Sequence, residues 1–287
     1  MNIQLPEKDK INKRQLILYI SIIVFCIISV IIAFYVQFYT RIDIGAMIGL
    51  EQKTGIGNKT EEEEENLRAS FGTLFINNIE NEDDRNNNKK IDQNKSLVYT
   101  KYEKKESKIN SYDLEVHIPY INIAGETVEK YNKEIEGIFE NMTNKVLQSE
   151  NKNLVYTVDY AASIQDDILS VSIKSNLKDG SKAQKVIIQT YNYDLRNNKE
   201  ITLEEILKIK QLDINEVQSK IKKEIAVEQQ KAQDLKSLGY NIYARDVYSD
   251  IYNIDKTTEF YLSENALYMI YAYGNQTDTT EMDIVIL

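Results

Sequence analysis

Disulfide chemistry is closed to most of this chain. The one cysteine among its 287 residues, Cys26, sits inside a long apolar run. Whatever folds beyond that run must do so on its hydrophobic core, which a domain of about 190 residues can manage by burying roughly 70% of its unfolded surface. Histidine is as scarce: with His117 alone and no second cysteine, a zinc site would have to be built mainly from carboxylates. There is no Gly-rich phosphate loop, no Gly-x-Ser-x-Gly elbow and no His-Glu-x-x-His. Acidic pairs such as Asp166-Asp167 and Glu204-Glu205 fall at an expected turn and an expected helix start, where structure accounts for them. No cofactor, metal ligand or catalytic residue is expected. A glycosidase-type carboxylate pair is set by distance in space, which spacing along the chain does not reveal.

Long apolar runs are also scarce, and the single exception fixes an address. Gln15 to Tyr39 is apolar, with no charge from Leu16 through Val36. A helical span needs roughly 20 such residues to cross the ~30 Å hydrocarbon core. Lys8, Lys10, Lys13 and Arg14 precede the run and only Arg41 closely follows it, so the tail 1–14 is expected in the cytoplasm and the rest outside. The exit, Ile32-Ala33-Phe34-Tyr35-Val36-Gln37-Phe38-Tyr39, is too bulky for signal peptidase, and its aromatics suit the outer interface. The expectation is an uncleaved single-pass anchor in the lipid bilayer over 15–39. The formal charge is −10; the first fourteen residues carry four cations and two anions, leaving −12 for the remainder. Such an exterior argues against nucleic acid and anionic head groups, and permits a cationic partner. Solubility alone also explains it.

Residues 40–95 read as an acidic juxtamembrane linker. Thr60 and Glu63 form a capping box, and Leu67, Phe71, Leu74 and Phe75 share one helical face, predicting a short helix over 61–78. That face would either dock on its own domain or the membrane surface, or bind a partner. The polar stretch Asn81 to Lys90 lacks apolar residues to bury and is expected to be a solvated linker.

From Ser96 the apolar period becomes two, with strands expected around Val98–Tyr102 and Leu114–Tyr120. Val128, Tyr131, Ile135, Phe139, Met142 and Val146 mark an amphipathic helix. Leu154–Ile164, Ile168–Leu177 and Ala183–Leu195 are expected as three further strands in an antiparallel meander. Thr202 with Glu205, and Asp213 with Glu216, cap two helices, the second reaching about Leu235. Strands near Glu259–Leu262, Ala266–Tyr273 and Thr280–Ile286 close a domain 96–287, with halves meeting about residue 165. The class is α+β, an antiparallel sheet with helices packed on it. Tyrosine is abundant at twenty residues. Those in strands are expected to pack as cross-strand pairs, whereas Tyr240, Tyr243, Tyr248 and Tyr252 fall in an irregular stretch that could offer a ligand surface.

The run Thr190-Tyr191-Asn192-Tyr193-Asp194-Leu195, followed by Asn198 to Leu207, resembles the signature of RsiV-like extracytoplasmic domains. Ile118-Pro119-Tyr120-Ile121 with Val128, Asn132 and Ile135 resembles the other half of that domain pair, and Phe260–Leu262 with Ala266–Tyr271 its closing hairpin. The resemblance implies a single-pass surface protein of a Gram-positive bacterium, with an external binding domain. In the anti-sigma member that domain binds lysozyme, and in relatives it precedes a peptidoglycan deacetylase. Here the tail of about fourteen residues is too short to hold a sigma factor. Tyr273-Gly274-Asn275-Gln276-Thr277 replaces the family's aromatic-Pro-Tyr stretch, and no deacetylase domain is expected after Leu287. The expected function is a non-catalytic, membrane-anchored module for a protein or cell-wall glycan ligand. A signalling or assembly subunit and a carboxylate-dependent wall hydrolase are the alternatives.

Overall fold

The computed structural model describes residues 56–57, 59–273 and 280–287. They fall in the unit Gly55–Leu287. The expected tail 1–14 and span 15–39 lie outside the described residues, and no described helix is long and apolar enough to cross a membrane. The helices are α1 (Glu61–Ser70), α2 (Glu126–Ile135), α3 (Asn141–Leu147), α4 (Leu203–Ile209) and α5 (Ile214–Ser237). The strands are β1 (Ile79–Glu80), β2 (Val98–Lys108), β3 (Tyr112–Ile121), β4 (Leu154–Gln165), β5 (Ile168–Asp179), β6 (Lys185–Asp194), β7 (Lys199–Glu200), β8 (Phe260–Leu262), β9 (Leu267–Tyr273) and β10 (Glu281–Ile286). The class is α+β: a seven-stranded sheet in the order β2-β3-β4-β5-β6-β7, with β1 beside β4, and a three-stranded sheet β10-β9-β8.

Alternation builds the large sheet. In β3, Leu114, Val116 and Ile118 are buried while Glu115 and His117 lie on the opposite, more accessible face. β4 turns into β5 through Asp166 and Asp167 at φ 52° and 61°, the left-handed pair that a two-residue hairpin of type I′ requires. Their carboxylates are held by Lys210 and Arg196 at 2.6 and 2.7 Å. The expectation of an antiparallel sheet fails between β3 and β4, which pair in parallel over Tyr112–Val116 and Leu154–Val158. The cause is the intervening helix. α2, a π turn at Glu136–Glu140 and α3 carry the chain back over the sheet as a βαβ crossover. Val128, Tyr131, Ile135, Phe139 and Val146 bury that helix against Leu114, Val116, Tyr156 and Val158.

Asparagine amides finish the edges that strand pairing leaves open. β3 parts from β4 after Val116, and Pro119 brings no N–H to a ladder. Asn77 occupies the vacated edge. Its N–H donates to Tyr160 O and its Oδ1 accepts from Tyr160 N, both 2.9 Å, while its Nδ2 donates to Asp159 Oδ1 at 2.8 Å. β1 then pairs in parallel with Ala162 and Ser163. Asn132 of α2 grips Ile121 the same way, at N–H and C=O, 2.9 Å each. Buried Asn122 donates to the carbonyls of Asp92 and Ser96 and accepts from Asp92 N. The stretch Asn81 to Lys90, expected as a solvated linker, is therefore packed on the sheet, with Asn86 buried and Glu82 paired to Lys90 at 2.7 Å. An amide side chain carries the donor and acceptor of a peptide group, so this segment is ordered by edge hydrogen bonds where apolar burial is small.

The small sheet joins the large one through side chains. Thr190 Oγ1 accepts from Phe260 N (3.2 Å), Asn192 Nδ2 donates to Phe260 O (3.0 Å) and Ser170 Oγ accepts from Leu262 N (3.0 Å). Ser163 Oγ donates to Leu262 O. The free edge of β8 thus has partners throughout, and the small polar residues that face it are explained. One face of the small sheet packs on α4 and α5 through Ile206, Leu207, Val217, Ile221 and Ile225. Capping boxes at Thr60–Glu63 and Thr202–Glu205 and an Asp213 N-cap start α1, α4 and α5.

Candidate functional site

Two surfaces were candidates from sequence, and the structure treats them differently. The predicted helix 61–78 is α1 followed by a 3-10 turn, Phe71–Leu74. Phe71 is buried in a cluster with Tyr261, Tyr268, Ile270 and Ile284, and Leu67, Leu74 and Phe75 pack against it. Arg68 Nε donates to Ile284 O at 3.0 Å, covering the outer edge of β10, and its Nη2 meets Glu224 at 2.9 Å. Lys220 joins Glu64 and Glu224 at 2.6 and 3.0 Å. The apolar face expected as a possible partner-docking helix is consumed by its own domain, because β10 presents both an open edge and an apolar face there.

The tyrosine stretch forms a strap running from the end of α5 back along that helix. Arg245 N donates to Gln229 Oε1 at 2.5 Å, and further on Gln218 bridges Tyr252 O and Ile254 N at 2.8 and 3.0 Å. The strap's anchor is the Arg245 guanidinium. It grips Asp283 with Nε and Nη2 at 3.0 and 2.8 Å, Glu281 with Nη1 at 2.8 Å, and the Tyr243 carbonyl at 2.7 Å. It also lies 5.2 Å from the centre of the Tyr273 ring. The Asp283 hydrogen bonds hold Arg245 protonated more firmly than usual. Arg245 was not singled out from sequence. The signal was the acidic pair Glu281 and Asp283, two residues apart on one strand among apolar neighbours, which demands a cation when buried.

The four predicted tyrosines do not share one surface. Tyr252 is a core residue, 1% exposed, and its hydroxyl meets Tyr273 OH at 2.7 Å. The strap folds it inward beneath α5, so the expectation of a ligand-facing Tyr252 is corrected. Tyr243 stacks on Tyr273, centroids 5.2 Å apart, and keeps one face open. Tyr240 and Tyr248 are 61% and 91% exposed, and along the same stretch Leu238 is 73% exposed and Ile251 half-exposed. In the last third of α5 only Ala232 is buried. These exposed aromatic and aliphatic side chains stand on a segment that Arg245 ties to β10 through Asp283 and Glu281.

Against that geometry, comparison with known proteins is sparse. No family model and no curated protein matches the chain. Among solved structures it is similar to a member of the DUF3298 family from Bacteroides fragilis, with 11% identity, TM-score 0.35, and coverage of 66% of this chain and 89% of that one. A DUF3298 family protein from Pseudomonas aeruginosa gives 12% identity, TM-score 0.35, and coverage of 65% and 86%. At that level of likeness the two proteins say nothing about what this chain binds.

His117 is structural in its contacts. Its Nδ1 lies 3.1 Å from Asp159 Oδ1 and its Nε2 3.8 Å from Glu103, tying three strands together. Among the described residues, no group of three or more His, Cys, Asp or Glu side chains is placed to hold a metal. Burial pushes the Glu259 carboxyl above its ordinary range, and its acceptance of Thr190 N at 2.6 Å opposes that shift. The bond serves the seam between the sheets.

Proposed function

We propose that this protein is a membrane-anchored, extracytoplasmic binding module whose strap presents the docking surface. The observation that carries the reading is the pairing of exposed Tyr240, Tyr248 and Leu238 with a base locked by Arg245. Large amphipathic side chains on a backbone already tied down bind with less ordering cost, and tyrosines are enriched among such contacts. The apolar run 15–39 supports the anchor, and the charge of −12 beyond the tail favours a cationic protein ligand over an anionic glycan. The RsiV-like pattern supports lysozyme as the first protein to try. The test immobilises the full-length chain in detergent micelles and passes lysozyme and muropeptide fragments over it. Saturable retention that falls in Tyr240→Ala and Tyr248→Ala variants is the expected result. Retention of neither probe counts against the proposal, and turnover of muropeptides would favour the hydrolase instead.

A further inference from the structure

A second site lies where α2 begins. A cleft of about 570 Å³ opens between the 3-10 turn Asp84–Lys89, the start of α2 and the turn at Asn198. Gly125 is the N-cap of α2, at φ 146°, a backbone setting that glycine favours, and it offers no side chain to the helix. The N–H groups of Glu126, Thr127 and Val128 find no acceptor among the described residues, and Val128 is fully buried. Four orphan donors are general to helix starts, but a cap or solvent normally meets them. Here a second group waits in the same cleft. Tyr193 is only 2% exposed, makes no hydrogen bond through its hydroxyl among the described residues, and lines the cleft. A Cβ on Gly125 would sit 3.8 Å from that hydroxyl. Lys89 lines the same cleft, pairs with no described carboxylate and reaches only Asn198 Oδ1, at 3.4 Å.

We infer that this cleft binds a small oxyanion of the phosphate class, held by the α2 N–H groups, the Tyr193 hydroxyl and the Lys89 ammonium. These three kinds of donor border the same cleft, and the helix dipole favours negative charge there. The Glu126 carboxylate also borders the cleft but is exposed, so it lowers affinity without closing the site. Gly125 lets an anion approach the backbone without a Cβ in the way.

The experiment titrates inorganic phosphate into ¹⁵N-labelled full-length protein in micelles at constant ionic strength, following backbone amides. Saturable shifts confined to Glu126, Thr127, Val128 and their neighbours are expected. Lys89→Ala and Tyr193→Phe should each weaken binding by about fivefold or more, the effect of losing one hydrogen bond to a charged group. Acetate, run in parallel, should bind more weakly than phosphate. Equal binding of the two would overturn the phosphate class. Non-saturating shifts spread over the surface, or binding unchanged in both variants, would overturn the site itself.

Discussion

The segment around Phe71 and the strap around Tyr248 carry comparable apolar loads at opposite ends of the described chain, and the fold uses them in opposite ways. Leu67, Phe71, Leu74 and Phe75 meet a sheet that still lacks cover, both at the edge of β10 and over its apolar face. The strap meets a sheet already covered by α5, so its anchors go inward as Arg245 and Tyr252 while Tyr240 and Tyr248 remain outside. What decides whether an apolar segment becomes core or stays exposed is the cover its neighbours still need, and not its own hydrophobicity. In the strap, a buried charge cluster does the fixing that apolar burial does for α1.

The largest effect should come from the base of the strap. Arg245→Ala strands the buried Asp283 carboxylate, and chemical denaturation should show a loss of about 3–5 kcal/mol. A loss below about 1 kcal/mol would show that the base is not fixed by charge. Phe71→Ala removes a buried ring from the α1 cluster and should cost about 3–4 kcal/mol. If it instead left stability intact and abolished binding, the contrast between the two segments would be reversed.

Next come the exposed tyrosines. Tyr240→Ala and Tyr248→Ala should each stay within about 0.5 kcal/mol of the parent stability. Each should nevertheless cost about 1–2 kcal/mol of ligand affinity, read by titration of lysozyme.

The smallest effect is a pH dependence at the seam between the sheets. Burial raises the folded pKa of Glu259, so the native state binds its proton more tightly than the unfolded chain. Stability from this group is therefore greatest below the ordinary carboxylate range and falls as pH rises through the raised folded value. Glu259→Gln keeps an acceptor for Thr190 N–H and should flatten the slope of melting temperature against pH in that window. An unchanged slope would place the proton elsewhere.

Much of the frame is legible in the residues. The alternation in β3, the helical stripe from Val128 to Val146, the capping boxes at Thr60 and Thr202 and the Asp166-Asp167 turn are local signals with local causes. Non-local choices are hidden. The parallel pairing of β3 with β4 depends on the helix carrying the chain back to the end of the sheet where β3 began, and period-two patterning is blind to strand direction. The ordering of residues 77–95 depends on Asn77 and Asn122 finding strand edges, whereas composition treats asparagine only as polar. For the site, the strap was visible as a tyrosine cluster. The sorting of Tyr252 inward and Tyr248 outward depends on Arg245 meeting Asp283 across the fold.

If the strap is a prebuilt contact surface, removing its exposed rings must cost affinity and leave the fold untouched. Lysozyme binding to the full-length protein and to the Tyr240→Ala/Tyr248→Ala double variant should be compared by titration calorimetry, with melting temperature recorded for both. The double variant should lose at least about tenfold in affinity with an unchanged melting temperature. Equal affinity in the two proteins, or no binding by either, would contradict it.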